Sequence, residues 1–213
     1  AGAVPVALDE LALDAYAMPG QKWLLGPEGT GALWVRRAFA EATFPAVAGS
    51  SSFAKFDKAE PQFHAGARRF EPTGFHRPSV IGFGRSLGWL MMYVGLAWAQ
   101  ERASTLARGI ADRLAAIPGV TVVTPRPAPG TLVTFRIQGW TAAEALDEVG
   151  PRALATLRDL PPIDALRLSV GFWITEAELD RVAEVVEHVA RHTPDTLPPR
   201  RLAVLGSDGR PLG

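Results

Sequence analysis

Among 22 basic residues, three are lysines (Lys22, Lys55 and Lys58) and the rest are arginines. Lys22 has unusual neighbours. It follows an expected strand through Pro19-Gly20-Gln21 and leads into Trp23-Leu24-Leu25-Gly26-Pro27-Glu28-Gly29-Thr30-Gly31. A lysine partly buried between a strand end and a glycine-rich turn has a lowered pKa, and its neutral amine forms Schiff bases with carbonyl compounds. The plain alternative is a solvated surface charge, against which Trp23 and Leu24 argue. Arg167 is the second candidate. In Ala165-Leu166-Arg167-Leu168-Ser169-Val170, strand alternation puts Leu166, Leu168 and Val170 on one face, Arg167 and Ser169 on the other. A planar guanidinium fixed on a strand suits two-point binding of a carboxylate. An ordinary solvent-facing arginine is the alternative that this spacing leaves open.

Other motifs carry less. Gly26, Gly29 and Gly31 match neither dinucleotide-binding nor P-loop spacing, so a tight hairpin is the simpler reading. His188 and His192 lie at i, i+4 near a helix C-terminus, where interaction with the helix dipole is the simpler role. With His64 and His76 they show no metal-ligand spacing. The chain has no cysteine, which excludes a disulfide framework, a cysteine zinc site, an iron–sulfur cluster and a cysteine nucleophile. Lys+Arg 22 balances Asp+Glu 22, leaving no basic footprint for nucleic acid or an anionic membrane.

The elements that must position Lys22 and Arg167 come next. A chain of 213 residues, 47% hydrophobic, is long enough for a sizeable core. The opening AGAVPVALDE has neither the basic nor the apolar region of a signal peptide, so a cytoplasmic setting is expected. Ala7–Leu13 reads as a helix turn, Ala15–Met18 and Ala32–Val35 as short strands. Ala38 to Pro78 reads as irregular, and so long a loop is usually functional. From about Ser79 to Ile117 the pattern is helical, with Leu87, Leu90, Met91, Val94 and Trp98 on one face. Its uncharged part, Ser86 to Gln100, is shorter than the roughly 20 apolar residues of a membrane span and reads as a buried helix.

Beyond Pro118-Gly119, Val120–Val123 and Leu132–Ile137 read as strands, the second alternating Val133/Phe135/Ile137 against Leu132/Thr134/Arg136. Thr141 with Glu144 and Thr175 with Glu178 fit capping boxes. Leu179, Val182, Val186 and Val189 line one face of the second helix. A strand–helix–strand–strand–helix order from 120 to 192 predicts a small α/β sandwich with helices on one side. The partition is 1–85 as part of a larger α/β unit, 86–118 as a connecting helix, 119–193 as a small α/β domain and 194–213 as a surface tail.

Two strings now carry a resemblance. AYAMPGQKWLLGPEGTGALWVRR closely resembles the cofactor-lysine segment of fold-type I pyridoxal-phosphate enzymes. The branch is the class V aminotransferase family, which includes cysteine desulfurases, isopenicillin-N-epimerase-like proteins and carbon–sulfur lyases. LRLSVGFWITEAELDRV resembles the same family's carboxyl-terminal motif. The resemblance covers about residues 1 to 190. It implies pyridoxal 5'-phosphate as cofactor, Lys22 joined to it as a Schiff base, and Gln21 near its phosphate. It implies that Arg167 clamps the substrate α-carboxylate. Arg69–Phe75 falls where relatives carry a Gly-Thr pair that reaches the phosphate from the neighbouring subunit of a dimer; here the order is Thr73-Gly74.

The family's desulfurases use a cysteine nucleophile, which this chain lacks. The resemblance also places Ala1–Val6 just after the strand bearing the aspartate that pairs with the pyridine nitrogen. Residues 1–85 would then be the remainder of the cofactor-binding large domain, and the chain the family's carboxyl-terminal half. The implied function is a pyridoxal-phosphate enzyme acting on an amino acid, a small-molecule substrate, by transamination, epimerisation or C–S/β-elimination. It would work as a homodimer or with its missing amino-terminal half. The alternative is a non-catalytic fragment or subunit serving as an interaction module.

Overall fold

The computed structural model describes residues 1–125 and 130–200, together with the backbone of Val204–Leu205 and Pro211–Leu212. The chain divides into two compact units, Ala1–Glu101 and Arg102–Gly213.

In the first unit, strands β1 (Ala15–Pro19) and β2 (Gly31–Val35) pair antiparallel, in register from Ala15↔Val35 to Pro19↔Gly31. The expected helix turn precedes them: the amides of Glu10 and Leu11 both donate to the Ala7 carbonyl, at 3.1 and 3.2 Å. The stretch read as irregular holds helix α1 (Arg37–Ala42) and the hairpin β3 (Phe53–Lys55) and β4 (Gln62–Phe63). Polar side chains tie it together in place of a periodic apolar face. The buried Ser52 hydroxyl donates to the Glu71 carbonyl at 2.9 Å and accepts from the Gly49 amide at 3.1 Å. The Arg69 guanidinium donates to the carbonyls of Ala40, Thr43 and His64. Phe53 and Phe63 stack with centroids 4.7 Å apart.

Helix α2 (Arg77–Trp89) has Pro78 in its first turn, where a missing N–H costs nothing. It runs into a π-helical turn, Leu90–Val94, closed by the Gly95 amide on the Leu90 carbonyl at 2.8 Å. Gly95 then takes φ 85°, which glycine adopts readily, and α3 (Leu96–Ala116) begins. The single helix expected over Ser79–Ile117 is therefore two. Nor is Ser86–Gln100 a buried helix: Leu90 is buried, but Met91, Met92 and Tyr93 are 73%, 76% and 77% exposed. The wider i→i+5 turn rotates these side chains off the apolar stripe that a regular helix would maintain. Among the described residues, no single helix is long and apolar enough to cross a membrane.

The second unit is built on a four-stranded antiparallel sheet in the order β5-β6-β8-β7. Its strands are β5 (Val120–Val122), β6 (Leu132–Ile137), β7 (Arg158–Leu160) and β8 (Ala165–Ser169). Val133, Phe135 and Ile137 are buried, as their alternation predicts, in one core with Leu106, Ile110 and Leu114 of α3. Helices α4 (Ala142–Ala153) and α5 (Glu176–Ala190) close that core, α5 through Leu179, Val182, Val186 and Val189. Both capping boxes form: the Thr141 and Thr175 hydroxyls accept from the Glu144 and Glu178 amides, and the two carboxylates accept from the Thr141 and Thr175 amides. The order is strand–strand–helix–strand–strand–helix; the sequence pattern showed no strand at β7. The tail read at 194–213 lies in part outside the described residues.

Candidate active site

The β1–β2 ladder continues beyond Pro19, with the Gly20 amide donating to the Thr30 carbonyl at 2.7 Å. The intervening loop folds back on itself: Gly26 donates to the Gly20 carbonyl at 2.8 Å, and Leu25 to the Lys22 carbonyl at 3.0 Å. That turn sends Leu24 inward, to 6% exposure, and leaves Gln21 and Lys22 exposed. The expected partial burial of Lys22 is thus corrected: the apolar neighbours bury themselves, and the lysine is left outside. Among the described residues its amine has no hydrogen-bond acceptor or ion-pair partner.

Helix α2 stiffens this loop from beneath. Leu25 takes a left-handed φ of 56°, unfavourable for a branched side chain, and its carbonyl receives the Ser86 hydroxyl at 2.8 Å. Phe83 packs so closely that a Cβ on Gly26 would lie 2.6 Å from its ring. Glycine at 26 is therefore a requirement of close approach, which explains it without any phosphate.

Thr73 and Gly74 are exposed in the segment before α2, and a Cβ on Gly74 would meet nothing within 4 Å. The chain is anchored up to Pro72. Ser52 holds the Glu71 carbonyl, and Gly49 lies so near that a Cβ there would be 1.5 Å from the Pro72 carbonyl oxygen. A groove of about 590 Å³ runs beside it, lined by Met18, Leu33, Phe70, Pro72, Phe75 and Val80 among others.

Arg167 belongs to the second unit. On β8 it pairs across the sheet with Thr134 of β6 on one side and Arg158 of β7 on the other. Leu166, Leu168 and Val170 are buried, so Arg167 points to the opposite face. Its Nε is buried without a hydrogen-bond partner among the described residues. A cavity of about 400 Å³ opens on it, walled by Thr156, Arg158, Trp173, Glu178 and Arg181. Trp173 folds over Gly171, where a Cβ would come within 2.4 Å of its ring, and Arg102 holds the loop through the Phe172 carbonyl at 3.0 Å. Arg158 is a site residue that the sequence pattern did not show. Three residues of strand with an arginine and an aspartate carry no hydrophobic period; the Arg-x₈-Arg spacing across Pro161-Pro162, a turn between two strands, was the available signal.

Residues 1–182 match the family model described as Aminotransferase class-V. The chain belongs to that family. Class V aminotransferase-family relatives include the isopenicillin N epimerase of Streptomyces clavuligerus, 31% identical over 208 residues, covering 87% of this chain and 50% of that protein. A probable cysteine desulfurase of Xylella fastidiosa (strain Temecula1) is 26% identical over 186 residues, 83% of this chain and 44% of that one. The chain thus spans about half the length of the curated relatives it matches.

Solved structures share the fold. The cystine C–S lyase C-DES, in complex with its product cysteine persulfide, aligns with TM-score 0.79 at 22% identity, over 88% of this chain and 49% of that one. The cysteine desulfurase of Thermococcus onnurineus NA1 aligns with TM-score 0.79 at 18% identity, over 89% and 50%. A variant of C-DES was solved with glycine covalently linked to its PLP cofactor. Pyridoxal phosphate is the class V cofactor, and the residues here fit it: Lys22 presents an amine with no competing acceptor among the described residues, on a loop pinned by Ser86 and Phe83.

Proposed function

We propose that this chain serves a pyridoxal-phosphate enzyme of the class V family that transforms an α-amino acid, with Lys22 holding the cofactor and Arg167 holding the substrate. When bound, pyridoxal phosphate supplies a conjugated ring that stabilises negative charge at the substrate Cα. Lys22 Nζ would bind the cofactor carbonyl carbon and, once displaced by the substrate amine, take or return the Cα proton. Gln21 would lie near its phosphate, and Thr73 and Gly74, also exposed, would reach the phosphate held by the neighbouring subunit of a dimer. The Arg167 guanidinium would donate to a carboxylate in two-point geometry and set which Cα bond is oriented for cleavage. Transamination, epimerisation and β-elimination share these roles.

The observation that carries this reading is Arg167, which lines a cavity and whose buried Nε has no hydrogen-bond partner among the described residues. A buried unpaired donor costs on the order of 1–3 kcal/mol, and a bound carboxylate removes that cost. The test is cofactor loading. Pyridoxal phosphate added to the full chain should produce a visible absorption band, and borohydride reduction followed by peptide mapping should place the adduct on Lys22. Lys22→Ala should abolish both. An unchanged spectrum in Lys22→Ala, or an adduct at Lys55 or Lys58, would reject the assignment.

A further inference from the structure

Arg158 and Arg167 face each other across the β7–β8 ladder. Directly opposed residues in an antiparallel pair project to one face with Cα atoms about 5 Å apart, and like charges there destabilise the sheet. Both arginines line the same cavity. Its two other charged residues are engaged elsewhere: Glu178 accepts from the Thr175 amide and hydroxyl at 2.8 and 2.7 Å, and Arg181 Nε donates to the Ala153 carbonyl at 2.8 Å. Among the described residues, neither guanidinium has a carboxylate partner, and Arg167 Nε is buried without a hydrogen bond. Two adjacent cations without an acid do nothing for the fold, and local rules are broken in this way at binding sites.

We infer that the cavity takes an amino acid with a second carboxylate in its side chain. This rests on the role proposed for Arg167. One carboxylate on Arg167 leaves the exposed Arg158 paired only with water; a second acidic group gives it a charged partner, and each planar guanidinium then has its own carboxylate. Thr156 and Trp173 supply a hydroxyl and an apolar wall for the connecting carbons. A neutral side chain of equal size would leave Arg158 unpaired, so the pair selects acidic over amide substrates.

The experiment titrates the full chain with L-glutamate and with L-glutamine, following the arginine Nε–Hε resonances by NMR. L-Glutamate should bind at least about tenfold more tightly than L-glutamine. Arg158→Gln should erase that preference by weakening L-glutamate far more than L-glutamine, and Arg158→Lys should keep part of it. Equal affinities in the unaltered chain, or a preference that survives Arg158→Gln, overturn this inference alone, provided that Arg167→Gln weakens both ligands. If Arg167→Gln weakens neither, or neither amino acid binds, the carboxylate role of Arg167 falls with it. Unchanged circular dichroism in each variant separates lost contacts from lost fold.

Discussion

The Ser86 hydroxyl of α2 donates a 2.8 Å hydrogen bond to the carbonyl of Leu25, the residue that carries the left-handed bend of the Lys22 loop. A residue in an unfavourable backbone region persists only where its surroundings hold it, and Ser86 supplies the holding contact from 61 positions away. Ser86→Ala should therefore lower stability by about 1 kcal/mol and slow adduct formation at Lys22. Thermal unfolding and the rate of appearance of the visible band measure the two effects. An adduct rate equal to that of the unaltered chain would show that the loop keeps its shape without this bond.

The segment leading to Thr73 is equally exacting. A Cβ at position 49 would lie 1.5 Å from the Pro72 carbonyl oxygen, so Gly49→Ala must displace backbone on one side or the other. Overpacking of this kind costs roughly 1–3 kcal/mol. The expected result is a lower Tm together with new chemical shifts at Thr73 and Gly74. Unperturbed shifts there would mean that the strain is absorbed on the Gly49 side.

The two capping boxes make a pH-dependent contribution. Amide and hydroxyl bonds from Thr175 hold the Glu178 carboxyl below its ordinary 4.5, and the hydroxyl and amide of Thr141 do the same for Glu144. With the folded-state value depressed, the stabilisation is present above the unfolded value and is lost as pH falls through the folded one. Thr175→Ala should cost about 1 kcal/mol at neutral pH. The Tm gap between variant and parent should narrow as pH falls below 4.5. A gap independent of pH would assign the loss to the hydroxyl alone.

Phe135 of β6 is fully buried between the sheet and its helices. Phe135→Ala should cost about 3–5 kcal/mol, enough to unfold much of the second unit at ordinary temperatures. Denaturant titration gives the value, and a loss under 1 kcal/mol would require the core to collapse around the gap.

Arg167→Ala should raise KM for the amino-acid substrate by roughly 10- to 100-fold, the worth of a charge-assisted contact, with cofactor loading at Lys22 unaltered. Parallel loss of cofactor would argue that the arginine serves the fold or the cofactor instead.

Local chemistry is where the sequence was most legible. The Thr-x-x-Glu boxes, the Leu179/Val182/Val186/Val189 stripe and the Val133/Phe135/Ile137 alternation each lie within one element, and each recurs in the structure. The misses lie where long-range contacts decide. Trp23 and Leu24 suggested burial for Lys22, yet the turn gives the interior to Leu24. The apolar period runs unbroken through Gly95, so the break there left no trace in it. Ser52 and Arg69 organise residues 38–78 through backbone carbonyls distant in sequence, which no periodicity records. The family's two motifs named Lys22 and Arg167, but Arg158 needed the register of β7 against β8 to emerge.

The π-turn after α2 has a chemical consequence. Met91 and Met92 project into solvent, while Met18, the third methionine, is half-buried in β1. Mild peroxide will therefore convert two adjacent thioethers to sulfoxides well before the third, since oxidation follows access. Their protection in any larger assembly is a mass-spectrometric footprint, available without labelling, of whatever covers that turn.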